Sequence, residues 1–343
     1  MRLGSLDSSQ RVIVIAEAGI NHEGSFDRAL TMVDEAASTG ADIVKFQTYK
    51  TEQLVLPRES ARVAQRRRFE LSFEQFGLLA ERAEKVGITF LSTAFDEESL
   101  EFLAPRMPAF KISSVDFTNE RLIARALMFR KPLLMSCGMS DDATIERTLA
   151  FVGMRTSADF LKQSVALLHC VSSYPAPYEQ LNLRSIPYLA KRYGLEVGYS
   201  DHAMGITASL GAVALGARII EKHFTLDKSL TGVRDHQLSA DPAELRELIQ
   251  AIRQLEPALG VSAKQIMPAE QASIRAMRRG LVAACAIQPG EALTPGNVMV
   301  LLPGEGIPSQ EYFQSLGKSA TRVIQAGEPI QHEDLAEAKV SRR

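Results

Sequence analysis

Eight short apolar segments lie between residues 12 and 223, and each of them ends on a polar residue that can take part in chemistry. Runs of this length and composition are typical of strands buried on both faces, as parallel strands are. The pattern therefore predicts a parallel sheet of eight strands. The segments are VIVIAE (12–17), DIVKFQ (42–47), ITFLST (88–93), AFKISS (109–114), PLLMSC (132–137), VALLHC (165–170), EVGYSDH (196–202) and ARIIEKH (217–223).

Segments with helical periodicity lie between these apolar runs. In 26–40, the apolar residues Leu30, Val33 and Ala37 fall on one face, and Gly40 is placed to end the helix. Strand–helix alternation repeated eight times favours an α/β fold of the (β/α)8 TIM-barrel type over an open sheet with a long excursion. All strands of a TIM barrel end at one face, where the active site lies. The polar strand ends are therefore predicted to surround a single site.

The composition excludes several classes of protein. The chain has 343 residues, a formal net charge of −2, 45% hydrophobic and 23% charged residues, which gives no overall field for nucleic acid or an anionic membrane. No apolar stretch approaches the ~20 residues needed to span a bilayer, and the N-terminus has no signal-peptide core. Three cysteines form no disulfide framework. We therefore expect a cytoplasmic protein without a nucleic-acid or membrane partner.

The sequence changes character near residue 278, where Gly and Pro become frequent and helical periodicity is lost. We predict a catalytic barrel over 1–258, a linker over 259–277 and a compact domain of small strands over 278–343. A domain this small buries little core of its own and would gain stability by packing on something else.

Two stretches of the predicted C-terminal domain resemble each other. They are AIQPGEALTPGNV (286–298) and VIQAGEPIQHEDL (323–335), and each has Ile-Gln, one variable residue and Gly-Glu, followed by an apolar residue two positions on. This short internal repeat predicts two similar units, each a strand followed by a turn.

The longest irregular stretch inside the predicted barrel runs from Thr48 to about Leu71. A loop of this length is usually functional or involved in oligomerisation. Its run Arg66-Arg67-Arg68 is interpreted as a solvated helix face, and the alternative is attraction of an acidic substrate or a subunit contact.

Two histidines stand at the ends of the last two predicted strands. Side chains two residues apart share one face of a strand, so Ser200 points the same way as His202, and Glu221 the same way as His223. If these faces point into the barrel mouth, two imidazoles meet there, which suits a divalent metal of the Mn²⁺ or Zn²⁺ kind. The alternative is that each histidine is a hydrogen-bonded structural residue.

Two lysines, Lys45 and Lys111, lie within apolar strands, where an unpaired lysine is rarely tolerated. They either form salt bridges across the barrel or make a cationic pocket for a phosphate or carboxylate. Glu17 either pairs with one of these lysines or acts as a base or orienting carboxylate. No Walker loop and no GxGxxG motif follows a strand, so nucleotide binding has little support. Hydroxyl donors for a bound anion would be Thr93, Ser114, Ser136 and Ser200.

These motifs resemble those of the sialic acid synthase family, the synthases of nine-carbon keto sugar acids. The C-terminal part resembles the antifreeze-protein-like SAF domain of those enzymes, so the implied fold is a TIM barrel followed by an SAF domain. The matching stretches cover nearly the whole chain in the family's order: AEAGINHEGS, GADIVKFQT, FLSTAFDEESLEFL, FKISS, MSCGMS, LLHCVSSYPAP, VGYSDHAMG, EKHFTLDKSLTGVRDH and RRGLVAACAIQPGEALT.

The resemblance implies a carbon–carbon bond-forming transferase that condenses phosphoenolpyruvate with the open-chain aldehyde of an N-acylated amino sugar and releases phosphate. His202 and His223 would hold a divalent metal, with Mn²⁺ expected and Mg²⁺ or Co²⁺ as alternatives, and the metal would polarise the aldehyde. Glu17 would act near the reacting carbons and Glu221 near the metal and the sugar. The implied phosphoenolpyruvate-binding residues are Lys45, Thr93, Lys111, Ser114, Ser136 and Ser200.

The resemblance also implies contacts to the sugar and a domain-swapped homodimer. Tyr174, Asp235 and His236 would lie along the sugar. The C-terminal domain of one subunit would cover the barrel mouth of its partner, and Arg279 is the best match to the family's sugar-contacting arginine there.

The sequence departs from the family pattern at three positions, of which the first bears on the acceptor. Ser172 begins a Ser-Ser-Tyr-Pro segment where sialic acid synthases proper often have Asn-x-Tyr-Pro, Cys137 replaces a usual Thr, and Gly280 replaces a Ser. The acceptor is therefore left open between N-acetylmannosamine and a 2,4-diacetamido-2,4,6-trideoxy hexose, although the AEAGINHEG start looks less like the pseudaminic branch. Two other functions are weighed: a Schiff-base aldolase that uses Lys45 or Lys111 as nucleophile, and a non-catalytic carbohydrate-binding protein.

Overall fold

The computed structural model describes residues 1–337. The end of the predicted C-terminal domain, 338–343, lies outside the described residues. The chain divides after Gly260 into two compact units, Met1–Gly260 and the unit that begins at Val261. The predicted linker, 259–277, falls largely in the second unit. Each unit is described by itself below.

The first unit is a closed barrel of eight parallel strands. Each strand pairs with the next one along the chain, and the last pairs with the first. The predicted TIM-barrel fold is therefore confirmed, and every predicted strand lies on its apolar run. After a small antiparallel hairpin of β1 (Arg2–Leu3) and β2 (Leu6–Asp7), the barrel strands are β3 (Ile13–Gly19), β4 (Ile43–Thr48), β5 (Thr89–Ala94), β6 (Phe110–Ile112), β7 (Leu133–Ser136), β8 (Val165–His169), β9 (Glu196–Asp201) and β10 (Ile219–His223).

Helices connect the strands as the alternation predicts. Among the described residues, no helix is long and apolar enough to cross a lipid bilayer. The helices of the first unit are α1 (Phe26–Thr39), α2 (Thr51–Leu54), α3 (Ser60–Phe69), α4 (Phe73–Val86), α5 (Glu97–Leu103), α6 (Glu120–Leu127), α7 (Asp142–Gly153), α8 (Ala158–Ser164), α9 (Ser185–Tyr193), α10 (Thr207–Ala214), α11 (Asp235–Leu238) and α12 (Pro242–Leu259).

Local sequence signals explain where two of these helices begin and end. The Ser25 hydroxyl caps α1 by accepting a hydrogen bond from the Arg28 N–H, and Gly40 ends α1 with φ of 86°, a left-handed conformation that glycine adopts without strain. Helix α12 starts at Pro242 behind a capping box formed by Asp241 and Glu244.

The prediction of an irregular stretch between Thr48 and Leu71 is wrong, because this stretch contains α2 and α3. Helix α3 is rich in arginine, and Phe69 is its one buried residue, so it carries almost no apolar periodicity that sequence reasoning could detect. Arg67 pairs with Glu52, and both side chains are 63% exposed, so the prediction of a solvated helix face is confirmed for Arg67.

The barrel strands are buried almost throughout, which explains why they form continuous apolar runs. Every residue of β3, β8 and β10 is buried, because helices cover the outer face and side chains fill the inside. Burying each large aliphatic side chain contributes about 1.5–3 kcal/mol. This apolar framework offsets the burial of charged side chains inside the barrel.

The second unit is a small arrangement of short strands around its own apolar core. Its helices are α13 (Gln271–Met277) and α14 (Tyr312–Ser315), and its strands are β11 (Gly280–Ala283), β12 (Val298–Leu301), β13 (Ser319–Ala320) and β14 (Leu335–Ala336). The buried core residues are Leu281, Ala283, Ile287, Leu293, Val298, Ile307, Ala320, Ile324 and Ile330.

The internal repeat is visible in the hydrogen bonds of this unit. Ile287 and Ile324, at the same position of the two repeats, exchange backbone hydrogen bonds of 2.9 and 3.0 Å. Each repeat then makes the same turn: the Gln288 N–H donates to the Glu291 carboxylate, and the Gln325 N–H donates to the Glu328 carboxylate. The two similar sequences therefore form two similar arms that pair with each other.

Candidate active site

Four charged side chains meet inside the barrel at the carboxyl ends of the strands. Lys45 Nζ lies 2.6 Å from Glu17 Oε2 and 3.5 Å from Glu221 Oε2, and Lys111 Nζ lies 3.7 Å from Glu221 Oε1. None of the four side chains is more than 5% exposed. The register of the barrel explains the first contact, since Glu17 on β3 stands opposite Lys45 on β4.

This pairing changes the interpretation of the two lysines. The alternative interpretation, salt bridges across the barrel, is what the structure shows, because two carboxylates accompany the two ammonium groups in the same cluster. The pocket for a phosphate or carboxylate stays a prediction. Such a cluster can still bind an anion, because a proton taken up by one carboxylate leaves the lysine charge free.

Three predicted hydroxyl groups contact the charged cluster directly. Lys45 Nζ donates to Thr93 Oγ1 at 3.1 Å, and Lys111 Nζ donates to Ser136 Oγ at 2.7 Å. Ser200 Oγ donates to Glu221 Oε1 at 2.8 Å. These hydroxyls orient the charges, and each is itself almost fully buried.

Ser114 belongs to a neighbouring group of polar atoms. Its hydroxyl lies 3.0 Å from Cys170 Sγ and accepts a hydrogen bond of 3.1 Å from the Gly138 N–H. A Cβ atom on Gly138 would lie 2.4 Å from Ser172 Oγ and 2.8 Å from Ser114 Oγ. The absence of a side chain at Gly138 therefore lets the polar groups of Ser114, Cys170 and Ser172 converge.

The two carboxylates of the cluster are driven in opposite directions. Burial raises the pKa of Glu17, only partly offset by Lys45, and the charge of Glu221 raises it further. Burial alone would raise the pKa of Glu221 as well, but the ammonium groups of Lys111 and Lys45 and the Ser200 hydroxyl outweigh it and hold this pKa well below its usual range. Two carboxyl groups separated in this way can divide acid–base roles, with Glu221 ionised and Glu17 able to hold a proton near neutral pH.

The lysines are also affected differently. Burial would lower the pKa of Lys45, but Glu17 and Glu221 outweigh it and raise this pKa. For Lys111, burial is the larger effect and lowers the pKa. Lys45 is therefore the more firmly held cation of the two.

The two histidines of the predicted metal site lie side by side at the mouth. The ring centroids of His202 and His223 are 5.3 Å apart, and the Tyr174 ring packs against both, at 4.3 and 5.9 Å. Nδ1 of His202 lies 2.8 Å from the Val171 carbonyl oxygen and donates to it, which leaves Nε2 free. Nδ1 of His223 is buried without a hydrogen-bond partner and lies 3.5 Å from Asp235 Oδ2.

Both imidazoles are neutral at neutral pH. Burial, assisted by the neighbouring His223, lowers the pKa of His202 to about 4. Burial also lowers the pKa of His223 to about 3, although Glu221 opposes the shift. A neutral imidazole is the form that binds a metal ion.

A divalent metal fits the residues at this point. The unpartnered Nδ1 of His223 and the free Nε2 of His202 are nitrogen donors, and Asp235 is an oxygen donor close by. Within residues 1–337, no group of three or more His, Cys, Asp or Glu side chains is arranged to hold a metal by itself. A metal held here would therefore complete its coordination with oxygen atoms of water or substrate, as catalytic metal sites do.

The structure separates two neighbouring residues that were both predicted to lie along the sugar. Asp235 is at the mouth beside His223, but His236 is fully buried elsewhere, with Nδ1 2.7 Å from Thr225 Oγ1 and Nε2 3.4 Å from Glu23 Oε1. Consecutive residues of a helical turn point about 100° apart, so both side chains of α11 cannot face the mouth. His236 is not part of the cluster.

Arg279 lies in the second unit and is the residue immediately before β11. Its side chain is exposed, and Nη1 donates to the Val300 carbonyl oxygen at 3.2 Å. Its contact with the sugar stays a prediction.

Sequence reasoning missed some residues of the site. Gln47 Nε2 donates to Glu17 Oε1 at 3.1 Å, and Cys170 faces Ser114. The run VALLHC (165–170) also contains His169, but this side chain points out of the barrel, where Nε2 lies 2.8 Å from the Leu181 carbonyl oxygen. The two-residue period could have identified both, because Gln47 shares a face with Lys45, and Cys170 faces opposite to His169.

Both units are similar to known protein families. The sequence profile of the NeuB family matches residues 32–264, and that of the SAF domain matches residues 278–336. The chain is 36% identical to N,N'-diacetyllegionaminic acid synthase from Campylobacter jejuni, covering 94% of this chain and 99% of that protein. It is 32% identical to pseudaminic acid synthase from the same species, covering 98% of this chain and all of that protein.

A solved structure agrees with this result. The crystal structure of N-acetylneuraminic acid synthetase from Leptospira borgpetersenii serovar Hardjo-bovis, in complex with citrate, superposes with a TM-score of 0.74 at 36% identity. The match covers 80% of this chain and 94% of that chain.

The closed barrel, with its charged cluster at the mouth, defines an enzyme of the TIM-barrel class. The chain belongs to the NeuB family, and its C-terminal part is an SAF domain. It is an enzyme of the sialic-acid-type synthase class, so the alternative of a non-catalytic carbohydrate-binding protein is not supported.

Proposed function

We propose that this enzyme condenses phosphoenolpyruvate with an N-acylated amino sugar to give a nine-carbon keto acid and phosphate. The observation that carries the proposal is the meeting of two buried lysines, two carboxylates with opposite pKa shifts and two neutral imidazoles in one barrel mouth. The names of the relatives support the reaction class, since they are synthases of three acids of this type.

The anionic groups of phosphoenolpyruvate would bind to the two lysine–hydroxyl pairs. Lys111 with Ser136 and Lys45 with Thr93 each offer an ammonium group and a hydroxyl in contact. Hydrogen bonds to charged groups contribute about 1.5–3 kcal/mol each. The pKa of Glu17 is raised. Glu17 is therefore the carboxyl group that takes up a proton when the anionic phosphoenolpyruvate enters the cluster.

C3 of phosphoenolpyruvate attacks the aldehyde carbon of the sugar, and the aldehyde oxygen takes up a proton to become a hydroxyl group. Water adds at C2 and gives up its protons, the bond between C2 and the phosphate oxygen breaks, and phosphate leaves with one of these protons, so that C2 becomes the keto carbon. Glu17 would hold or move a proton near these carbons, and Glu221 would keep its charge and orient Lys111 and Ser200, which it contacts.

His202 and His223 would hold the divalent cation, with Mn²⁺ the expected ion. When bound, such an ion supplies Lewis-acid polarisation of the aldehyde oxygen. The support is the neutral state of both imidazoles and the unpartnered Nδ1 of His223.

The acceptor is proposed as one of two sugars, N-acetylmannosamine or a 2,4-diacetamido-2,4,6-trideoxy hexose. Ser172 stands where the family's sialic acid synthases often carry an amide, and its hydroxyl oxygen is buried without a hydrogen-bond partner close to Ser114. A smaller side chain there changes what the sugar can contact.

A phosphate-release assay tests the proposal. Release from phosphoenolpyruvate should require both an amino sugar and Mn²⁺, and the two candidate sugars are compared at equal concentration. Full turnover after thorough chelation would contradict the metal role of His202 and His223. Release at the same rate without any sugar would contradict the condensation itself.

A Schiff-base aldolase is the second candidate, because burial lowers the pKa of Lys111, and a lower pKa leaves a larger fraction of the amine in its neutral, nucleophilic form. Borohydride in the presence of a keto acid would trap a covalent adduct on Lys111 in that case. Failure to trap an adduct, together with phosphate release, would leave the condensation as the reaction.

We propose further that the active form is a homodimer in which a partner's C-terminal domain covers the mouth. The support is a set of large apolar side chains that follow barrel strands and remain exposed, a pattern that marks interaction surfaces. These exposed residues are Val115, Met139, Tyr178 and Met204, which are from 44% to 68% exposed. A monomer that is fully active in sedimentation experiments would contradict this arrangement.

A cytoplasmic location stays a prediction.

A further inference from the structure

A second pair of buried charges lies directly behind the two histidines. Asp201 and Lys222 are 0% and 1% exposed, stand opposite each other in the β9–β10 register, and form an ion pair of 3.2 Å. Because side chains alternate along a strand, they point outward while His202 and His223 point into the mouth. The pair is therefore separate from the charged cluster inside the barrel.

The ion pair fixes the backbone of Ala203, the residue that follows His202. The Asp201 carboxylate accepts the Ala203 N–H at 2.8 Å, and Lys222 Nζ donates to the Ala203 carbonyl oxygen at 2.5 Å. Both backbone groups of Ala203 are thus fixed by charged side chains. Ser209 on α10 adds a hydrogen bond of 2.6 Å to the same carboxylate, which ties the strand end to the covering helix.

The pair also links the two strands that carry the imidazoles. Lys222 stands between Glu221 and His223 on β10, and its contacts reach Asp201 and Ala203, which flank His202 on β9. A shift of one strand end relative to the other would therefore break these contacts. The spacing of the two rings at 5.3 Å is set by the same backbone segments.

Stability alone is a poor explanation for such a pair. Desolvation of two buried charges commonly offsets their attraction, and apolar replacements of similar size are often as stable. By contrast, groups that orient metal-binding histidines from behind commonly affect metal affinity or activity by 10–100-fold. The geometry favours the second explanation, because Asp201 and Lys222 stand next to the two histidines in the chain and both bind the backbone of Ala203, the residue after His202.

We propose that Asp201 and Lys222 are positioning residues that fix the relative placement of His202 and His223 for metal binding. This inference rests on the proposed function, which assigns the metal to these two histidines. Both side chains point away from the mouth, so they act only through the backbone that bears the rings.

The test compares a double variant with a matched control in the full-length protein. Asp201→Asn with Lys222→Met removes both charges, so no buried charge is left alone. The control is Asp42→Asn at the opposite end of the barrel, where Asp42 is also buried, accepts the Val14 N–H at 2.8 Å and pairs with Arg253 at 3.1 Å and with Arg11. Both variants should lose thermal stability.

Mn²⁺ binding is measured by titrating the metal-free protein and following free Mn²⁺ by electron paramagnetic resonance. The double variant should raise the Kd about 10–100-fold, and the Asp42→Asn control should stay within about twofold of the wild type. The KM for Mn²⁺ should rise in parallel, while kcat at saturating Mn²⁺ changes less. A folded double variant with a wild-type Kd would overturn the inference.

A second readout needs no metal. In the metal-free protein, the ring ¹H–¹³C signals of His202 and His223 should shift or broaden in the double variant and stay unchanged in the control. If the wild type binds no Mn²⁺, the proposed metal site fails, and these signals alone decide the positioning inference: unchanged rings refute it, and altered rings support it. If the double variant does not fold, Asp201→Asn alone is measured in the same two ways.

Discussion

The two ends of the barrel use buried charges in opposite ways. At the amino-terminal base, Asp42 pairs with Arg253 at 3.1 Å and accepts the Val14 N–H, and Arg253 also donates to Glu256 and to the Val12 carbonyl oxygen. At the mouth, four charges crowd together, and polar atoms such as His223 Nδ1 are left without a hydrogen-bond partner.

This difference separates stability from function within one fold. The charged side chains at the base form hydrogen bonds with backbone groups and ion pairs with one another. In this way they join β3, the first barrel strand, to α12 and close the barrel. Charges at the mouth shift one another's pKa and leave atoms free for a ligand, an arrangement that costs stability and is found at active sites. Substitutions of the same type at the two ends should therefore give different results.

The same substitution at a mouth lysine and a base lysine should give the largest contrast. Lys111→Met removes an ammonium group from the cluster and should lower kcat/KM for phosphate release about 10²–10³-fold, as loss of a preorganised charge does. Lys131→Met, which removes a donor to the Met107 carbonyl oxygen near the base, should leave kcat/KM within about twofold. Equal losses in the two variants would refute the contrast.

Removing a base charge should instead lower stability. Asp42→Asn leaves Arg253 less well paired, and we expect the free energy of unfolding in urea to fall by about 3 kcal/mol, near the lower end of the range for broken buried ion pairs. Asp235→Asn at the mouth should lower it by less than about 1 kcal/mol yet reduce activity. A stable Asp42→Asn protein with reduced activity would reverse the assignment of the two ends.

Acid should weaken the protein through the mouth histidines. The pKa of His202 is lowered to about 4 and that of His223 to about 3, so in this range the unfolded chain binds protons that the folded protein does not. Their contribution to stability is fully present above about pH 6.5 and is lost as the pH falls toward these lowered values. Between pH 6 and 5 the two together should remove about 2 kcal/mol of unfolding free energy.

The measurement is a urea titration at pH 6 and at pH 5. It compares the wild type with the double variant that carries both His202→Gln and His223→Gln. The double variant should lose about 2 kcal/mol less than the wild type over this interval. The same pH dependence in both proteins would show that the two imidazoles are not buried in the neutral form.

The smallest effect is expected at Arg67, an exposed charged residue of α3. Arg67→Ala breaks its ion pair with Glu52, but both side chains are 63% exposed, so the unfolding free energy should change by less than about 0.5 kcal/mol. Phosphate release should be unchanged. A clear loss of activity would extend the functional mouth to the outer face of α3.

The fold could be predicted because buried parallel strands leave continuous apolar runs. The predicted run at 42–47 became β4, Ile43–Thr48, and the run at 165–170 became β8, Val165–His169. Helix α3 could not be predicted in the same way, because a short arginine-rich helix with a single buried residue has no apolar stripe.

The candidate site could be predicted as a set of residues but not as a set of contacts. Strand ends identified Glu17, Lys45, Lys111 and Glu221, yet their mutual pairing depends on the register between strands and on barrel closure, which local patterns do not contain. Asp235 illustrates the same limit, since only the path of its loop shows that it faces His223 while the next residue does not.

The paired arms of the second unit have a consequence for how this part of the gene can change. The Ile287 N–H and carbonyl oxygen bind those of Ile324, so each arm serves as the template for the other. An insertion or deletion beside either isoleucine would move it out of register with the other and break this pair of hydrogen bonds. Loops grafted into this unit should therefore leave both isoleucines and their immediate neighbours at their present spacing.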